Sequence, residues 1–99
     1  MLTLLAKKEV LEWLKQGRKT IDIRKGNPRQ GARVLFVSGP YRLEMGVVGT
    51  QSGPLCELIR VDNFRQVIPS ADSVDEALAY LRGIYRDVGG VFTAYFVAR

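Results

Sequence analysis

With 99 residues the chain has room for one domain, residues 1–99, burying roughly 60–65% of the surface its unfolded form exposes. A single cysteine, the absence of histidine and the lack of any apolar run near about 18 residues exclude disulfides, thiol or imidazole metal clusters, His-based triads and membrane spans. The net charge of +5 is unevenly spread: eight Lys and Arg lie between Lys15 and Arg42 against Asp22 alone, a local +7 that fits a polyanion such as RNA.

Met1 to Leu5 reads as a short edge strand. From Lys7 to Gln16, Val10, Leu11 and Leu14 recur at helical spacing, and Gly17 sits where a helix end wants positive φ. Lys19 to Arg24 alternates like a strand, and Lys25 to Gly31, with two glycines, Asn27 and Pro28, reads as a loop. Strands follow at Arg33–Val37 and Leu43–Thr50, where Gly46 and Gly49 hint at a bulge. A further strand is predicted over Leu55–Val61, enclosing Cys56 as a buried, inert thiol. Asp62 to Asp72 is irregular, anchored by Phe64, Val67 and Ile68. Ser73-Val74-Asp75-Glu76 is a capping box opening a helix to about Tyr85, and Val91–Ala98 closes the chain as a strand. The order β-α-β-β-β-β-α-β, joined by turns too short for crossovers, predicts an α+β fold: a small mixed β-barrel of about five to six strands with two flanking helices.

The densest chemistry lies in Gly17-Arg18-Lys19-Thr20-Ile21-Asp22-Ile23-Arg24. In an extended segment Ile21 and Ile23 share one face, and Thr20, Asp22 and Arg24 the other. An Asp/Arg pair beside a lysine resembles the floor of an anion- or nucleobase-binding cleft. The same pattern also fits an edge strand whose charges merely meet water. Trp13 reads as a packing residue, whereas Tyr41, in a turn, is a candidate for lining a cleft. Gly26 and Gly31 open no helix after a strand, so they do not form a phosphate cradle, and nothing calls for a cofactor or metal.

Gly17-x-Lys19-x-x-Asp22-x-Arg24 resembles the G-x-K-x-x-E-x-R signature of the ASCH superfamily. The resemblance runs over nearly the whole chain, from the helix ending in Gly17 to the aromatic strand Tyr95-Phe96-Val97, and is to the small bacterial and archaeal members. It implies a PUA-like barrel and RNA or nucleotide binding. One branch of that superfamily includes an N4-acetylcytidine amidohydrolase. This sequence departs from the pattern at three places. Asp22 replaces the usual Glu (a threonine in the amidohydrolase branch), Ala32 replaces the usual Asp, and the stretch Ser70–Asp72, near which that branch's catalytic glutamate would fall, contains no Glu. Among the residues proposed as catalytic in that branch, Lys19 alone transfers cleanly.

Two functional classes follow. As a binding module, the chain presents Arg18, Lys19, Asp22, Arg24, Lys25, Arg29, Arg33 and Tyr41 to RNA or a nucleotide-like ligand, the cations on phosphates and Lys19 with Asp22 on a base or ribose. As an enzyme, it would use Lys19 and Asp22 to hydrolyse an amide on a modified nucleoside such as N4-acetylcytidine, or to cleave RNA. The expected setting is cytoplasmic, away from membranes, as a monomer or weak homodimer.

Overall fold

The computed structural model describes residues 1–99. Five strands form one curled sheet: β1 (Leu2–Leu5), β2 (Ile21–Lys25), β3 (Arg33–Ser38), β4 (Tyr41–Gly53) and β5 (Phe92–Ala98). Their spatial order is β1-β3-β4-β5-β2. Only β1 and β3 run parallel; the other three pairings are antiparallel. The 13-residue β4 serves two neighbours, β3 along its first half and β5 along its second. Between them a bulge at Val47/Gly49 throws Val48 outward and bends the strand. That bend curls the sheet into a half-barrel and brings its two edges, β1 and β2, towards each other.

Helix α1 (Lys8–Lys15) and helix α4 (Val74–Ile84) are the two flanking helices the periodicity predicts. At the end of α1, Gly17 takes φ +77°. Its N–H reaches the Leu14 carbonyl at 3.2 Å and that of Arg18 reaches Trp13 at 3.0 Å, the paired bonds of a Schellman stop. At the start of α4 the Ser73 hydroxyl accepts from the Glu76 N–H at 3.1 Å. A core of 24 apolar residues lies between sheet and helices, with Phe36, Leu14 and Phe92 wholly enclosed.

The strand expected over Leu55–Val61 is not there. Leu55–Leu58 forms a single helical turn, α2, and a second such turn, α3 (Phe64–Val67), sits within the irregular stretch. Leu55 and Leu58, three apart, are both buried, which a helical turn achieves and strand alternation cannot. The same rotation turns Cys56 outward, so the thiol is exposed instead of buried. The half-barrel therefore has five strands and four helices. No helix is long and apolar enough to cross a membrane.

Candidate functional site

The outer face of β2 is roofed by α3 and α4, so charges that could have met water are enclosed. Asp22 is only 3% exposed and Lys19 only 4%. Strand pairing begins at Ile21, so Lys19 is free of the alternation and its side chain runs back under the roof. Its ammonium donates to the carbonyl of Ile21 at 2.8 Å and to that of Val67 in α3. It stands 3.9 Å from Asp22 Oδ1. On the other side of the carboxylate, Arg24 Nε donates to Oδ2 at 2.6 Å and a second guanidinium nitrogen reaches Oδ1 at 3.4 Å. Arg24 Nη1 donates to the carbonyl of Leu5 at 2.7 Å. One guanidinium thus ties β2 to β1 across the seam between the sheet's two edges.

These three side chains share a cleft of about 260 Å³ whose other walls are mainly apolar: Ile23 and Ile68 below, Leu81 and Ile84 from α4, Leu5 and Tyr85 at the rim. This falls just under the about 300–1,000 Å³ of drug-sized ligand pockets, so it suits one ring-sized group. Leu5 is 76% exposed and Ile84 43%, leaving an apolar lip at the mouth. Lys7 adds a cation beside the cleft, its ammonium 5.1 Å from the centre of the Tyr80 ring.

The electrostatics follow from burial. Loss of water drives the Lys19 pKa from 10.5 down to about 8, with Asp22 pulling it back up and Arg24 pushing it further down. At pH 7 the group is still about nine-tenths protonated. For Arg24, burial opposes the charge, but the Asp22 carboxylate outweighs it and holds the pKa above the ordinary value. Burial, reinforced by the Glu9 carboxylate, raises Tyr80 to about 12. The phenol therefore keeps its proton, its oxygen enclosed and on the side of the Glu9 carboxylate. Asp22 is the only carboxylate lining the cleft. Asp72, the acid nearest the position expected for a glutamate, is exposed and lies outside it. No three carboxylate, thiol or imidazole groups converge as a metal ion would require.

Two solved structures share this architecture. The crystal structure of hypothetical protein PH0355 superimposes with a TM-score of 0.82 at 20% identity, covering 97% of this chain and 95% of that one. The crystal structure of ASCH from Zymomonas mobilis superimposes with a TM-score of 0.72 at 14% identity, covering 98% of this chain and 66% of that one. The fold is ASCH-like. No protein-family model matches the sequence, and no curated protein does either.

Within this ASCH-like, PUA-like half-barrel the predicted site residues separate into three groups. Lys19, Asp22 and Arg24 converge on the cleft. Lys25 and Arg29 line an adjoining cavity of about 400 Å³ that shares Leu5, Arg24 and Tyr85 with it. Arg18, Arg33 and Tyr41 lie elsewhere. Arg18 is exposed beyond the Gly17 turn. Arg33 pairs with Glu44 on β4. Tyr41 stands on a different face of α1, its ring 5.8 Å from the Lys8 ammonium. Sequence reasoning missed Tyr80 and Ile84. Their signal was present, since Tyr80 and Ile84, four apart on α4, flank the buried Leu81 and widen its apolar stripe.

Proposed function

We propose that this chain binds RNA, or a nucleotide of RNA, by seating one base in the cleft over Lys19 and Asp22. The observation that carries the reading is the convergence of Lys19, Asp22 and Arg24 on a single, mostly apolar hollow. Apolar walls suit the faces of a base, and an ammonium beside a carboxylate offers both a donor and an acceptor to its edge. The cations of the Lys15–Arg42 segment add attraction for the backbone. The test is titration of mixed-sequence single-stranded oligoribonucleotides at low salt. Affinity should fall with salt at a slope of about −0.7 per neutralised phosphate, for about three to five phosphates. Ile84→Glu, which places an anion on the exposed lip, should abolish binding. Absence of binding at low salt, or full binding by Ile84→Glu, rejects the reading.

The desolvated Lys19 beside Asp22 favours a second reading, hydrolysis of an amide on a modified nucleoside such as N4-acetylcytidine. Against it, two of the three ammonium protons of Lys19 are already held by the Ile21 and Val67 carbonyls. Incubation with N4-acetylcytidine at high protein concentration decides: no released acetate removes this reading. RNA left intact in the same incubation removes a nuclease.

A further inference from the structure

Resting on the base-binding reading, we propose that the cavity beyond Arg24, walled by Lys25, Asn27 and Arg29, receives the phosphate attached to the nucleoside whose base fills the Lys19–Asp22 cleft. The two hollows are neighbours with a common wall of Leu5, Arg24 and Tyr85, and they differ in chemistry. The first is mainly apolar with one buried carboxylate. The second has Lys25, Asn27 and Arg29 on one side and no acidic residue in its walls. A ligand spanning both is therefore ring-like at one end and anionic at the other, with Arg24 in the wall between them.

The loop that carries these groups is fastened in place. The N–H of Gly26 donates to the Val91 carbonyl at 2.8 Å, and the Thr93 hydroxyl donates to the Gly26 carbonyl at 2.7 Å. Further along, the Arg29 N–H donates to the Tyr95 hydroxyl at 3.0 Å. Thr93 is 0% exposed and Tyr95 2%, so the anchors are part of the core and the loop cannot drift from the cavity it lines. The guanidinium of Arg29, at the same cavity, makes no hydrogen bond or ion pair within the chain, whereas each nitrogen of the Arg24 guanidinium already donates one hydrogen bond. Lys25 is shared, held by the Asp87 carbonyl at 2.6 Å and its carboxylate at 3.3 Å. Arg29 is thus the cation with its fork free for an incoming phosphate.

The experiment compares affinities at low salt for the four common ribonucleosides, their 5′- and 3′-monophosphates, and trinucleotides of each base. Wild type should bind a phosphorylated form about tenfold tighter than the matching nucleoside, the gain of a charge-assisted contact. Arg29→Gln should remove that advantage and leave nucleoside affinity unchanged. Arg82→Gln, which deletes the same charge from the exposed side of α4, should keep it. An advantage already present in the monophosphates identifies a terminal phosphate as sufficient, and one confined to trinucleotides identifies an internal phosphodiester. Equal binding of nucleosides and all phosphorylated forms, or an advantage that survives Arg29→Gln, overturns the phosphate subsite while base binding stands. If no nucleoside, nucleotide or trinucleotide binds, the base cleft falls and the subsite with it.

Discussion

Arg24 lies along Asp22 with Nε 2.6 Å from Oδ2, and the carboxylate it neutralises has a side chain only 5% exposed. The pair is two residues apart on one strand, a spacing that on an open sheet would give a hydrated contact of about 0–1 kcal/mol. Roofed by α3 and α4, it becomes instead the counter-charge for Lys19 and the tie between β2 and β1. One carboxylate therefore supports both the shape of the cleft and its charge.

Asp22→Asn removes that anion and leaves Lys19 and Arg24 as enclosed cations without compensation. We expect a loss of about 3 kcal/mol, the lower end for breaking a buried pair because Arg24 retains some solvent contact. In a domain of this size that lowers Tm by on the order of 10–20 °C. A change of only a degree or two in thermal melting followed by circular dichroism would mean that the pair is energetically an exposed one.

Gly17 positions Lys19 from the other side. Its φ of +77° lies in the left-handed region, and an added Cβ would meet nothing within 4 Å. Gly17→Ala should therefore cost only backbone strain, about 1 kcal/mol, or about 4–8 °C in Tm. A neutral substitution would show that the turn after α1 relaxes without the Schellman bonds.

Much of this was written in the residues. The run from Gly17 to Arg24 shows its stop, its strand and its charges in local spacing, and the capping serine of α4 is equally local. What stayed hidden is of two kinds. Leu55–Val61 is a short apolar run, and such runs carry no periodicity that separates a strand from a helical turn. The Val67 and Leu5 carbonyls that hold Lys19 and Arg24 are backbone atoms of distant segments, which any residue could supply. Spacing likewise could not show that Arg33 would be taken by Glu44 across the β3–β4 pair.

The rotation of α2 that exposes Cys56 gives a direct check on that stretch. In native protein without denaturant, Ellman's reagent should titrate one thiol promptly. Cys56→Ser should change stability by no more than about 0.5 kcal/mol, as for other surface positions. A thiol that reacts only after unfolding would restore the buried strand and contradict the helical turn.

Lys19 makes stability depend on alkaline pH with a definite sign. Its pKa is about 8 in the fold and 10.5 in the unfolded chain, so between these values the unfolded state binds more protons and stability rises with pH. Below about 8 both states are protonated and the cost of enclosing the charge is borne in full; above about 10.5 both are neutral and that cost is gone. The change across the window is on the order of 3 kcal/mol. Urea unfolding of wild type and Lys19→Met, at intervals from pH 7 to 10.5, isolates this contribution because other titrating groups cancel in the difference. The wild-type stability relative to the variant should climb through the window, while affinity for oligoribonucleotides falls as the ammonium is lost. A flat or descending difference would mean that Lys19 titrates like a hydrated lysine, which its burial beneath α3 does not permit.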